Sequence, residues 1–132
     1  FSRMSMIAKE PRTHEAKCHD IALLVLTFVE RNPGFARLFV GDALQGETDR
    51  LRGRMRQLLH RIETQQRTIL RELILETDPL PGNRPTVLAR VLMTLVEGLI
   101  VQFVRSDFKQ SPTADWEASW LIIRIGVFGD VD

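Results

Sequence analysis

Cysteine is nearly absent from this sequence: Cys18 stands alone among 132 residues. An internal disulfide is therefore excluded, and a reducing, cytoplasmic setting is the expected one. Excess charge is missing as well. Eighteen Lys and Arg stand against 17 Asp and Glu, so the whole molecule has no strong field to draw in nucleic acid or anionic membrane. Nothing resembles a signal peptide, and no uninterrupted apolar run reaches the roughly 20 residues of a membrane helix. Glycine-rich phosphate loops and a Gly-x-Ser-x-Gly nucleophile turn are also absent. His14 and Cys18 lie four apart, a zinc-compatible spacing, but no second ligand pair accompanies them and Cys18 falls on an apolar stripe. The pattern points away from an enzyme, and neither a cofactor nor a metal is expected.

What is present is enough apolar material for one domain, 44% of the residues, organised at helical spacing. The stretch "FSRMSMIAKEPR" begins without Met and reads as the tail of an element that starts earlier, so residues 1–132 are expected to be one domain of a longer protein. Cys18, Ile21, Leu24, Val25 and Phe28 recur at intervals of three and four and mark a helix from Thr13 to Asn32, with Thr13 as its N-cap and Glu15 favouring its positive end. At "FVERNPGFARLF" the chain turns. Pro33 suits the first position of a second helix running to about Asp42, with Asn32 as its cap.

Residues 43–76 read as one long helix with Leu51, Met55, Leu58, Leu59, Ile62, Ile69, Leu70 and Leu73 inward. Its arginines at 50, 52, 54 and 56 advance by two and fan around the cylinder, and Glu63 is placed to pair with Arg67. Such a surface is either solvated or open to a partner or phosphate. "TDPLPGNRP" is a loop with three prolines and one glycine, after which Pro85 opens a broadly apolar helix through Phe103. Ser111 or Thr113 can cap a last helix carrying Trp116, Trp120, Leu121 and Ile125.

These two helices expose more apolar area than a five-helix domain can cover alone. A homodimer joined through a four-helix bundle is the expected solution, with Leu95, Gly98, Leu99, Phe103, Trp116 and Trp120 as the interface. Gly98 supports it, because a glycine inside a helix costs about 1 kcal/mol and close approach of another helix is the usual reason to keep one. The competing explanation is that Gly98 accommodates Trp116 or Trp120 within the protomer. A second possibility for the apolar helix is a ligand pocket lined between Leu95 and Phe103.

The strings "ERNPG", "DRLRGRMRQLLHRIE" and "LRE", followed by "FVRSDFK" and "PTADWEASW", closely resemble the C-terminal domain of the TetR-family nucleoid occlusion factors. The resemblance runs from about Arg3 to Leu121. It implies an all-α, TetR-like regulatory and dimerisation domain of about five helices, with DNA bound by an N-terminal helix-turn-helix domain that these 132 residues do not contain. It also implies a cytoplasmic, nucleoid-associated protein that antagonises the division protein FtsZ by contacting its C-terminal tail. The positions matching that contact are Arg3, Leu24, Arg31 and Asn32. Arginines suit carboxylates, Leu24 offers an apolar anchor and Asn32 offers donors to an extended backbone. The family pattern has glycine near Thr27, where a side chain bears on the width of the groove. On the residues alone, Arg31 and Asn32 read first as a helix end and a cap, and it is the resemblance that adds the peptide contact. A ligand-sensing TetR-family repressor is the alternative function.

Overall fold

The computed structural model describes residues 2–40 and 48–129. Six helices make up this part: α1 (Ser2–Lys9), α2 (His14–Arg31), α3 (Pro33–Phe39), α4 (Thr48–Leu75), α5 (Arg84–Arg105) and α6 (Trp116–Val127). The five expected from the pattern are joined by α1, the short stretch at the start.

Local chemistry accounts for most helix ends. Thr13 is extended, and its Oγ1 accepts the Ala16 N–H at 3.1 Å, as expected of an N-cap. Pro33 occupies the first turn of α3. Asn32 behaves otherwise than expected: it precedes α3 without a side-chain cap, and its Nδ2 donates back to the Phe28 carbonyl at 2.7 Å. The amide thus closes the end of α2 rather than the start of α3. Helix α3 stops at Phe39, and residues 41–47, which include Asp42 and the first five positions expected of the long helix, lie outside the described residues.

Helix α6 begins at Trp116, later than Ser111 or Thr113 would cap it. The reason is tertiary. Both hydroxyls donate to the Glu30 carboxylate on α2, Thr113 at 3.0 Å to Oε2. Before them, α5 ends with Asp107 and Phe108 at φ 55° and 63°, a left-handed pair that costs energy in non-glycine residues. The Phe108 N–H reaches the Phe103 carbonyl at 2.8 Å, and the two rings pack edge-on at 5.1 Å. These contacts compensate for the strain and direct the chain back across α2.

The core is continuous. Ile21, Leu26 and Val29 of α2 meet Ile69 and Leu70 of α4 and Leu92, Val96 and Ile100 of α5. By length and composition α5 could cross a membrane, which the broken apolar runs of the sequence had not suggested. One side of it is the centre of this core, with Ala89, Leu92, Met93, Val96, Ile100 and Phe103 buried. Gln66 is the one buried polar residue among the described residues, its Nε2 donating to the Cys18 carbonyl at 3.3 Å. The expected Glu63 and Arg67 pair does not form. Arg67 turns to Thr64, and Glu63 lies close enough to Glu97 to act on its ionisation.

Candidate functional site

Three surfaces could carry function. The first is an apolar groove of about 320 Å³ where α1, α2, α3 and α4 converge. Met4, Phe39 and Ile62 form its buried floor, and Leu24, Val25, Phe35 and Leu58 its walls. Phe28 stands at the edge, 50% exposed, against the edge of Phe35 at 4.9 Å. Arg3 lies on the rim, its guanidinium 3.6 Å from Glu10 and mostly in solvent. An exposed aromatic beside half-buried apolar walls suits a partner's apolar side chain, because burying those walls stabilises a complex by roughly 25 cal/mol per Å².

Of the four positions expected to contact a peptide, two line this groove: Arg3 and Leu24. Arg31 and Asn32 do not. Both are exposed at the end of α2, one turn beyond Phe28. The amide of Asn32 is engaged with Phe28, and the Glu30 beside it is fixed by Ser111 and Thr113. Arg31 is therefore presented outward from a held backbone, next to the groove rather than in it. Thr27 is half-buried and is not part of the groove wall.

The second surface is the outer face of α5 and α6. Ile122, Ile125 and Leu121 are 75%, 65% and 58% exposed, and Val87, Val91 and Val101 carry the same character along α5. A Cβ added at Gly98 or Gly126 would meet nothing within 4 Å. The idea that Gly98 makes room for a tryptophan inside the protomer is thus ruled out. The residue set expected for this face needs correction: Phe103, Trp116 and Trp120 are buried in the protomer's own core. Leu95 and Leu99 are half-buried against it, and Gly98 is half-buried as well. Helical spacing marked these residues as apolar but could not tell which apolar side faces inward.

The third region is the seam that fixes α6 on α2. Trp120 Nε1 donates to Glu15 at 3.2 Å, and Arg124 grips both oxygens of the same carboxylate at 2.5 and 3.0 Å. His19 sits between Trp116, Asp20 and Glu117: its Nε2 is 3.0 Å from the indole nitrogen and 2.8 Å from Glu117, and its Nδ1 is 2.8 Å from Asp20. Nε2 accepts from the indole or donates to the carboxylate, but not both at once. Asp20 also takes Arg12. Burial alone would raise the Asp20 pKa, but the His19 and Arg12 hydrogen bonds outweigh it and hold the carboxyl below its usual value. His14 turns to Glu76 at 3.8 Å and Cys18 lies in the core, so the zinc-like spacing brings no ligand set together.

Residues 13–126 match the SlmA-like family described as the tetracyclin repressor-like, C-terminal domain. The chain belongs to this family. It is 45% identical over 123 residues to the nucleoid occlusion factor SlmA of Idiomarina loihiensis, covering 93% of this chain and 63% of the relative. Against SlmA of Shewanella woodyi the figures are 44% over 124 residues, 94% and 63%. Against that of Escherichia coli O1:K1 / APEC they are 42% over 123 residues, 93% and 62%. The chain thus spans just under two thirds of the length of these SlmA proteins. All three carry the name nucleoid occlusion factor. The TetR-like, all-helical reading of the sequence holds for this SlmA-like domain.

Proposed function

We propose that this chain is the regulatory and dimerisation domain of a SlmA-like nucleoid occlusion factor. It pairs with a second copy through α5 and α6, and it takes the C-terminal tail of FtsZ at the groove bounded by α1 to α4. DNA is held by an N-terminal helix-turn-helix domain of the whole protein, which acts in the cytoplasm at the nucleoid. The observation that carries this reading is the groove itself. Arg3 and Leu24, implicated by family resemblance, sit on its rim and wall, and Arg31 lies beside it.

The physical roles divide along the groove. An apolar tail residue covers Phe39 and Ile62, while Arg31 and Arg3 receive tail carboxylates through paired N–H donors. A small-ligand sensor is the competing function. Its expected pocket between Leu95 and Phe103 is occupied by core packing, with Ile100 and Phe103 buried, and the apolar hollow is lined by α1 to α4 and not by α5.

Anisotropy titration of a fluorescent FtsZ tail peptide tests the reading. Arg31→Ala is expected to weaken binding by about 1 to 3 kcal/mol without loss of helicity. Equal affinity in parent and variant would remove Arg31 from the site, and no binding by either would refute the groove as a tail site for this domain.

A further inference from the structure

The apolar groove does not end at Phe39. That ring is also a wall of a second hollow of about 300 Å³, lined by Leu38, Val40, Met55 and Leu59 and flanked by Arg52 and Arg56. The two hollows share Phe39 and lie along α3 and the first half of α4, the first apolar and the second flanked by arginine; together they are called the trough below. From Leu58 in the first hollow back to Arg52 in the second is about 9 Å along α4.

The basic end is unusual in its counter-charges. From Arg50 to Ile62 the sequence holds Arg50, Arg52, Arg54, Arg56 and Arg61 with no Asp or Glu among them. Neither Arg52 nor Arg56 has a carboxylate partner among the described residues, whereas Arg12 and Arg124 both do. Four residues apart, Arg52 and Arg56 project from the same side of α4, and both border the hollow. Two like charges on one side of a helix favour an anion between them.

We propose that Arg52 and Arg56 form a carboxylate clamp that extends the peptide groove, so that the trough binds a segment whose apolar anchor lies beside acidic residues. The apolar anchor fills the hollow over Phe39 and Ile62, and the acidic part passes over Phe39 to the clamp. Nucleic acid is the less suitable occupant: a phosphate chain on the two arginines would leave the adjoining apolar hollow lined by Leu24, Val25, Phe35 and Leu58 unfilled. This inference rests on the groove being a peptide site.

The test uses two probes, the FtsZ tail peptide and the same peptide with every Asp and Glu replaced by its amide. Each is titrated into the parent and into Arg52→Gln/Arg56→Gln. The double variant is expected to bind the acidic peptide roughly tenfold more weakly and the amide peptide as the parent does. Equal binding of the acidic peptide by parent and double variant would overturn the clamp while leaving the groove intact. If Arg31→Ala binds as the parent while the clamp variant loses affinity, the clamp stands and the role of the helix corner falls. Loss of affinity for both peptides alike would overturn the clamp, because it would show damage to the trough rather than loss of a charge contact. A duplex DNA titration at the same salt completes the set: DNA binding abolished in the double variant, with the peptide unaffected, would replace the proposal with a phosphate site.

Discussion

The seam between α2 and α6 and the trough between α3 and α4 use the same ingredients, arginine beside aromatic and aliphatic side chains, in opposite ways. In the seam Arg124 is held by both oxygens of Glu15, Trp120 donates to the same carboxylate, and His19 is bracketed by Asp20 and Glu117. At the trough Arg52 and Arg56 reach no carboxylate among the described residues, and the apolar walls of the adjoining hollow are half-buried. A charge that already has its partner contributes to structure, while one with no carboxylate partner among the described residues is, on the reading proposed above, available for recognition. The same distinction separates the two sides of α6: Trp116 and Trp120 are turned inward and hydrogen-bonded, whereas Ile122 and Ile125 lie on its bare face.

The largest effect should come from that bare face. Ile122 is 75% exposed, so Ile122→Asp leaves the protomer's packing intact while placing a charge in each half of the proposed two-fold interface. The dimer dissociation constant should rise about 100-fold or more, read by light scattering at micromolar concentration with unchanged helicity by circular dichroism. A variant that stays dimeric would show that α6 is not the contact.

Next in size is the seam. Glu15→Ala leaves Arg124 and the Trp120 N–H without their shared acceptor, and should cost about 2 to 3 kcal/mol in urea unfolding. Arg52→Ala should change stability by no more than about 0.5 kcal/mol. If the two substitutions cost the same, the division between a structural seam and a recognition trough fails.

How far these regions could be read from sequence depends on how local their causes are. Thr13 as a cap, Pro33 at the start of α3 and the loop after Leu75 follow from neighbouring residues and were legible. The bare face of α5 and α6 was legible as an apolar excess, but Phe103, Trp116 and Trp120, expected on it, are buried in the protomer's core. Nothing local distinguishes the sides of α6. What turns the tryptophans inward is polar, Glu15 and His19, about 100 residues earlier in the chain. Ser111 and Thr113 deceived for the same reason, since their hydroxyls serve Glu30 rather than the next helix. Arg3 and Leu24 entered only through family resemblance. The trough depends on Phe39 separating two hollows, a property of packing with no signature in spacing.

The smallest predicted effect concerns a third kind of charge, neither paired nor free. Burial first, and the nearby Glu63 second, raise the Glu97 carboxyl above its ordinary 4.5. A raised acid stabilises the fold while it is protonated. That contribution is complete below 4.5 and is lost as pH rises through the folded value, so at neutral pH Glu97 is a net cost. Asp20 has the opposite sign: its depressed pKa contributes stability above the ordinary 3.8, and the contribution is lost as pH falls through the lower folded value. Glu97→Gln should therefore raise the melting temperature at pH 7, by less than about 1 kcal/mol in free energy, with the gain disappearing toward pH 4 as the parent's carboxyl protonates. Thermal melts of both proteins across that range decide the point. An equal gain at pH 4 and pH 7 would mean that ionisation at Glu97 is not what opposes folding there.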